Sequence, residues 1–325
     1  MDLITSFFLI YVNDLPAALT LLKPVMFADD TNLVIEGPNL DELKVIVDHE
    51  LIELVDFFRA NKLKLNIEKT KIICFRKKGK NIPRDFSIML DGINLELVDS
   101  ASFLGITLDC NLTWEKQCHE VANKISKTTG VLGRVKNFLP IPALKIVYDA
   151  LIMSHIQYGL EIWGGCKSSK GKKRLVGIQK KAIRHLTKSH YLSHTEPRMK
   201  QLGILKFQDQ HTLQIAKLAH DIVNKQCPIN LRNELDLCSE SHSHSLRSGT
   251  SNPQDVRQNP PNRKKIGTSF SNLGPKIWNS IPDTIKSIKN RFSFKKRLRE
   301  HIIEGYEEKV HCRNPLCRDR RSHVH

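Results

Sequence analysis

Aromatic residues, long apolar runs and acidic residues are all scarce in this sequence of 325 residues. Phe, Trp and Tyr make up 6% of it, too few for a platform that stacks single-stranded bases. No apolar run could cross a bilayer, and the run at residues 7–12 is too short for a signal peptide and follows no basic stretch. We therefore expect an intracellular protein, in the cytoplasm or the nucleus or both, that has no membrane partner.

The shortage of acidic residues leaves a large positive charge. The 51 Lys and Arg outnumber the 34 Asp and Glu, which gives a formal net charge of +17 at pH 7. A domain this basic usually binds a polyanion, and nucleic acid is the first candidate because phosphates attract Lys and Arg in any base sequence. Solubility charge spread evenly over the surface is the alternative, but the positive residues are clustered.

The eight cysteines occur at irregular spacings, which indicates reduced thiols rather than a disulfide framework. Cys312 and Cys317 lie near His311, His323 and His325, a combination that raises the question of a structural zinc site. Their spacing is wider than that of a zinc knuckle, and the tail around them offers few apolar residues to fold about a metal. Zinc binding there stays an open alternative to a disordered tail.

The first third of the chain combines strand and helix patterns. Two β-rich apolar runs at residues 24–36 flank Asp29 and Asp30, which predicts a tight hairpin. Asn39 is a suitable helix N-cap for the apolar stripe at residues 40–60. We further predict a loop feeding a strand at 63–76, a hairpin at 88–97 and a strand at 101–108. These elements predict an α+β fold.

After Asn111 the apolar spacing becomes helical, which predicts helices at residues 114–138, 143–158, 172–186 and 208–225. Residues 238–265 are rich in Ser, His, Asn and Pro and predict a flexible linker. The full division predicted from the sequence is an α+β region at 1–110, a helical region at 111–237, the linker at 238–265, a small helical segment at 266–304 and a disordered tail at 305–325.

The adjacent carboxylates Asp29 and Asp30 are the residues best suited to chemistry. Like charges this close raise each other's pKa unless a cation compensates them. Mg²⁺ prefers oxygen ligands and leaves coordination sites for substrate phosphates, and two such ions can stabilise an in-line displacement. Taken alone the pair is a weak signal, because turns favour Asp for their own geometry.

The residues around the pair resemble those of reverse transcriptases from non-LTR, jockey-like retrotransposons. FADD at residues 27–30 resembles the catalytic motif of that family, and further motifs follow in the family's order. They are FLIYVNDLP (8–16), NKLKLNIEKTK (61–71), FLGITLD (103–109), IQYG with IWG (156–159 and 162–164), IQKKAIR (178–184) and GPKIWNSIP (274–282). The resemblance extends to about Arg299.

This resemblance implies that residues 1–110 are a partial polymerase palm, an antiparallel sheet with a helix, and that residues 111–237 are a mostly helical thumb-like region and its extension. It implies that Asp29 and Asp30 bind Mg²⁺ for nucleotidyl transfer, with an RNA template, a DNA primer and dNTP as partners. It places Lys69 near the leaving phosphate, although Lys69 is equally an exposed lysine in a basic loop. It also implies that residues 103–109 belong to the primer-grip hairpin, in which Phe103, Leu104 and Gly105 position the primer, although apolar strand residues commonly belong to the core.

Residues 162–195 contain no acidic residue but nine Lys and Arg. In the resembling family the thumb follows the template–primer duplex, so phosphate contact is our favoured interpretation of this stretch and a solvated helix face is the alternative. A second acid-free stretch at residues 284–299 receives the same interpretation. The predicted nucleic-acid-binding residues are Lys172, Lys173, Arg174, Lys180, Lys181 and Arg184.

The family also needs a third carboxylate on an earlier palm strand, and fingers that hold the incoming nucleotide. Asp2 and Asp14 precede the hairpin, but neither fits the family's pattern for that strand. We therefore expect an N-terminally truncated reverse transcriptase with little or no polymerase activity alone. Two alternatives remain: a catalytically dead remnant that binds nucleic acid, and a relic whose palm is poorly folded because its sheet has lost strands.

Overall fold

The computed structural model describes residues 3–166, 169–235, 255–257 and 269–306. The chain divides into two compact units, an N-terminal unit at Met1–Leu112 and a C-terminal unit at Thr113–His325. Most of the predicted linker at 238–265 and of the predicted tail at 305–325, including Cys312 and Cys317, lies outside the described residues. The five described cysteines, Cys74, Cys110, Cys118, Cys166 and Cys227, are free thiols.

The N-terminal unit mixes helices with short strands. Its helices are α1 (Leu3–Tyr11), α2 (Leu15–Ala18) and α3 (Leu40–Ala60), with a 3₁₀ turn at Ile67–Lys69. Its strands are β1 (Lys23–Phe27), β2 (Asp30–Val34), β3 (Lys71–Ile72), β4 (Met89–Leu90), β5 (Ile93–Asn94), β6 (Glu96–Leu97), β7 (Ser100–Phe103) and β8 (Ile106–Asp109). The α+β class predicted from the sequence is confirmed.

The strands differ from the prediction in how they pair. They form four separate two-stranded ladders: β1–β2, β4–β5 and β7–β8 are antiparallel, and β3–β6 is parallel. The prediction of one antiparallel sheet is therefore wrong in its pairing, because the strands form four separate ladders and one of these is parallel. The single strand predicted at 101–108 is also wrong, because Leu104 and Gly105 both have positive φ, 46° and 74°, and turn the chain back into a hairpin.

Helix α3 begins where the sequence predicts, because the Asn39 side chain accepts a hydrogen bond from the Asp41 N–H at 3.0 Å. Its buried residues Leu51, Leu54 and Val55 join one apolar core with leucines from α2 and the segment before β1, and with Ile88, Leu90 and Leu95. This core supports the β1–β2 hairpin from one side, since Met26 and Leu33 pack against it.

The described part of the C-terminal unit is helical apart from its loops. Its elements are α4 (Glu115–Val135), α5 (Ile141–Tyr148), a π turn (Asp149–Met153), α6 (Ser154–Gln157), α7 (Leu160–Trp163), α8 (Ser169–Leu186), α9 (Glu196–Leu202), α10 (Phe207–Val223), a 3₁₀ turn (Ile229–Glu234), α11 (Phe270–Asn279), α12 (Asp283–Lys286) and α13 (Arg291–Glu304). The helix predicted at 143–158 is thus interrupted by a π turn, where a wider turn packs Ile152 and Met153 inward.

Helices α4 and α8 lie side by side and run in the same direction. The Sγ atoms of Cys118 and Cys166 are 3.3 Å apart at one end, and Arg174 donates to Asn123 at 2.7 Å farther along. A Cβ on Gly133 would meet the His185 ring at 3.1 Å, so the two helices remain close to each other up to their C-terminal ends. Hydrogen bonding to Cys166 and burial raise the pKa of Cys118, so this thiol stays protonated.

Helices α11 and α13 pack on α10. His220, fully buried on α10, stacks on Phe294 with ring centroids 4.3 Å apart, and its Nε2 lies 2.8 Å from the Ile288 carbonyl oxygen. Val256 is buried, and its backbone exchanges two hydrogen bonds with the Asn279 side chain, so the predicted linker is anchored there. Tyr306, which falls in the predicted tail, is buried and donates to Asp209 at 2.5 Å.

Candidate functional site

Asp29 and Asp30 lie at the tip of the β1–β2 hairpin. Phe27 pairs with Asp30, so Ala28 and Asp29 form a two-residue loop. Ala28 has φ 52°, a left-handed conformation that costs an alanine about 1 kcal/mol. Both carboxylates are exposed, and in the described part of the chain neither side chain has a hydrogen bond or an ion pair. The hairpin predicted around the pair is confirmed, and it presents two uncompensated acids to solvent.

A buried carboxylate on α3 fixes the segment that leads into this hairpin. Glu50 is 3% exposed and accepts hydrogen bonds from the Thr20 N–H at 2.9 Å, from the Thr20 hydroxyl, and from the N–H groups of Leu21 and Leu22 at 3.2 and 3.3 Å. Burial opposes ionisation of Glu50, but these hydrogen bonds outweigh it and lower the pKa of this carboxyl. Strand β1 begins directly afterwards at Lys23, so Glu50 positions the base of the hairpin.

The oxygens of Asp29 and Asp30 are the candidate ligands for a divalent cation. Mg²⁺ is commonly held by one or two protein carboxylates together with substrate phosphates, and Asp29 and Asp30 can supply these oxygens. Across the described ranges, no group of three or more His, Cys, Asp or Glu side chains is placed to hold a metal ion. The lack of a third carboxylate that would bridge two ions stays a prediction.

Lys69 lies in the 3₁₀ turn Ile67–Lys69, where its N–H donates to the Asn66 carbonyl and side-chain oxygens, both at 3.2 Å. Its side chain is exposed and forms no ion pair with any acid in the described residues. The structure does not bring Lys69 into contact with Asp29 or Asp30. Its predicted role near the leaving phosphate stays a prediction.

Phe103, Leu104 and Gly105 form one corner of the β7–β8 hairpin. Phe103 pairs with Ile106, and Leu104 and Gly105 are the two loop residues. Phe103 and Leu104 are half-buried and Gly105 is exposed. An apolar hairpin corner of this kind can support a strand of nucleic acid, but the same burial suits a simple packing role.

The predicted nucleic-acid-binding residues on α8 divide into two groups. Lys173, Arg174, Lys180 and Lys181 are exposed, and with Lys170 they lie along one face because they are three, four or seven residues apart. Lys172 instead lies on the inner side of the helix and is half-buried. Burial lowers the pKa of His211 to about 4, and the charge of Lys172 contributes to the same shift. The nucleic-acid contact predicted for Lys172 stays a prediction.

Arg184 also has a structural partner. Its Nε donates to the Ser193 carbonyl at 2.9 Å. Burial lowers the pKa of Arg184, and the positive charge of the neighbouring Arg198 lowers it further. This bond fixes the loop after α8 and leaves Arg184 half-buried. The exposed cations of α8 therefore lie on the part of the helix that precedes Arg184.

Helix α4 adds cations that the sequence analysis missed. Lys127 and Arg134 are exposed and lie on the same face of α4 as Asn123, the residue that joins this helix to Arg174 of α8. Lys127 and Arg134 of α4 and the exposed Lys and Arg residues of α8 thus form one cationic surface, which we call the α4–α8 face. A seven-residue spacing in the sequence of α4 marked this row, but its pairing with α8 could be seen only in the structure.

Comparison with known proteins supports the resemblance over part of the chain. Over 172 residues, 51% of this chain, the sequence is 28% identical to the probable RNA-directed DNA polymerase from transposon BS of Drosophila melanogaster. The chain is similar to a reverse transcriptase. The match spans 18% of that protein's length. No family model and no solved structure matches the chain.

The described helices also bear on membrane association. None of them is both long enough and apolar enough to cross a membrane.

Proposed function

We propose that this chain is part of an RNA-directed DNA polymerase of a non-LTR, jockey-like retrotransposon. The observation that carries the proposal is the exposed Asp29–Asp30 pair at the tip of a β-hairpin, in a chain similar to a transposon polymerase over half its length. The partners would be an RNA template, a DNA primer and dNTP.

Asp29 and Asp30 would hold Mg²⁺, which would neutralise charge on the phosphates of the incoming nucleotide. Lys69 would approach the leaving phosphate, and the corner at Phe103, Leu104 and Gly105 would support the primer. Because the described residues offer no third carboxylate, we expect little or no polymerase activity from this chain alone.

A second candidate function is nucleic-acid binding without catalysis. The α4–α8 face favours it, because Lys173, Lys180 and Lys181 are exposed cations with no acidic partner in the described residues. Phosphate contacts of this kind do not depend on base sequence and weaken as salt rises. Such binding needs neither a metal ion nor the missing carboxylate.

Primer extension on an RNA template with Mg²⁺ tests the first candidate. Wild type would be compared with Asp29→Ala and with Asp85→Ala, a matched control that removes an exposed acid outside the hairpin. Extension that disappears only in Asp29→Ala would establish a working metal site and contradict the expectation of low activity. Extension that persists in Asp29→Ala would exclude the pair as catalytic.

Binding of a labelled template–primer tests the second candidate. We expect binding that weakens with salt in wild type, and a further loss in Lys173→Gln/Lys180→Gln/Lys181→Gln. If the wild-type chain neither extends a primer nor binds the template–primer at low salt, both proposed functions are wrong.

A further inference from the structure

A lysine-rich turn lies in the N-terminal unit, outside the residues assigned so far. Lys77, Lys78, Gly79 and Lys80 are all exposed. The Lys80 N–H donates to the Lys77 carbonyl at 3.1 Å, and Gly79 has φ 90°. This bond and this backbone angle are those of a type II β-turn, in which glycine supplies the positive φ. We call these four residues the lysine turn.

Arg76 holds the lysine turn in place. Its guanidinium donates three hydrogen bonds: Nε to the Lys80 carbonyl at 3.1 Å, Nη1 to the Cys74 carbonyl at 3.2 Å and Nη2 to the Asp99 carboxylate at 2.7 Å. The bond to Asp99 raises the pKa of Arg76 further, so its charge is permanent. The cation of Arg76 is thus used inside the protein and ties the two ends of the turn to a neighbouring segment.

The backbone of Arg76 is held as firmly. Its N–H donates to the Cys110 carbonyl at 2.9 Å, and its carbonyl accepts from the Asn111 side chain at 2.8 Å. The residue that precedes the lysine turn is therefore bonded through both its backbone groups to the end of β8. The three lysines therefore follow a residue, Arg76, that five hydrogen bonds hold in place.

Lys77, Lys78 and Lys80 themselves have no counterion in the described residues, where no hydrogen bond or ion pair involves their ammonium groups. The acid that lies close to the turn, Asp99, is bonded to Arg76. Three like charges within four residues repel one another, and a polyanion relieves that repulsion when it binds.

We propose that the lysine turn contacts the phosphate backbone of a nucleic acid. Lysine is a point charge that suits phosphate oxygens at any base sequence, and the turn carries no side-chain pattern that would read base edges. A protein receptor that binds a basic segment in extended form would have to open the turn and break the bonds of Arg76. The fixed turn therefore favours nucleic acid.

This inference rests on the proposed function only in that the ligand is the same nucleic acid. It adds a contact in the N-terminal unit that does not involve the carboxylate hairpin or the α4–α8 face. Binding would be measured by fluorescence anisotropy of a labelled RNA–DNA hybrid with the full chain, over about 50 to 200 mM salt. Each phosphate contact contributes about 0.9 to the slope of log K against log salt for a duplex.

We expect Lys77→Gln/Lys78→Gln/Lys80→Gln to reduce that slope by about 2 to 3 and the affinity at about 0.15 M salt by on the order of 100-fold. The variant with three arginines at these positions keeps the charge and should bind as wild type does. For matched loss of charge, Lys77→Gln/Lys78→Gln is compared with Lys64→Gln/Lys276→Gln, which removes two exposed lysines outside every surface assigned to nucleic acid.

An unchanged slope in the triple glutamine variant, with binding still lost on changing Lys173, Lys180 and Lys181, would overturn the inference and leave the proposed function standing. An equal loss in the Lys64→Gln/Lys276→Gln control would also overturn it, because net charge alone would explain the effect. A wild-type chain that does not bind the hybrid would overturn both proposals.

Discussion

The replacement Glu50→Gln should loosen the base of the carboxylate hairpin. Glutamine can place its one carbonyl oxygen where Oε2 lies, so it still accepts from the N–H groups of Thr20, Leu21 and Leu22, and its NH₂ group can donate to the Thr20 hydroxyl. The replacement therefore removes the negative charge and keeps the hydrogen bonds. Hydrogen bonds to a charged acceptor are roughly twice as strong as neutral ones, so the loss of charge at these donors together costs about 2 kcal/mol.

Hydrogen exchange followed by mass spectrometry is the suitable assay, because it resolves one segment of a chain that has two units. All three tryptophans, Trp114, Trp163 and Trp278, belong to the C-terminal unit, so their fluorescence serves as an internal control. A cost of about 2 kcal/mol corresponds to about 30-fold faster exchange at the amides of residues 20–22. The tryptophan signal should not change.

The effect also has a defined pH dependence. Because the pKa of Glu50 is lowered in the folded chain from its ordinary 4.5, its contribution is complete above pH 4.5 and is lost as pH falls through the lowered value. The difference in stability between wild type and Glu50→Gln should therefore shrink only below pH 4.5. Unchanged exchange at residues 20–22 in the variant, or a difference that shrinks already at neutral pH, would refute the reasoning.

Three further predictions concern stability. Ala28→Gly should stabilise the β1–β2 hairpin by about 0.5 kcal/mol, seen as slower hydrogen exchange there, because glycine tolerates φ 52°; faster exchange would argue against strain. Gln179→Leu should lower the free energy of unfolding by about 3 kcal/mol in urea titrations followed by tryptophan fluorescence, since the buried Gln179 bonds Tyr148, Leu205 and Phe207; a loss below about 1 kcal/mol would contradict this. His211 is held neutral with a pKa of about 4, so the stability of the C-terminal unit should fall as pH drops from 6.5 to about 4, and His211→Gln should flatten that curve; equal slopes would exclude His211 as the cause.

The hairpin and helix of the candidate site could be predicted because their signals are local. Alternating residues around Asp29 and Asp30 define the ladder, and Asn39 marks the first turn of α3 at the observed residue. The exposed face of α8 follows in the same way from a spacing of three and four residues. Each of these features depends on neighbours within a few positions along the chain.

The remaining features depend on contacts between distant residues. Glu50 looks in sequence like a solvated position on α3, but its partners lie 28 to 30 residues earlier. Lys172 and Lys173 are adjacent and chemically identical, yet only the packing of α8 decides which one faces inward. The hairpin at Leu104 could not be foreseen from propensity, since leucine rarely adopts a positive φ.

The four two-stranded ladders have a consequence for how the protein behaves at high concentration. Every described strand belongs to a ladder of only two, so one edge of each strand carries backbone N–H and C=O groups that no strand of its own ladder satisfies. Beside one such edge, Val25, Phe27 and Val34 are 47%, 62% and 50% exposed. Edges of this kind add strands from other molecules. Self-association through the carboxylate hairpin should therefore increase with protein concentration and limit the solubility of the chain.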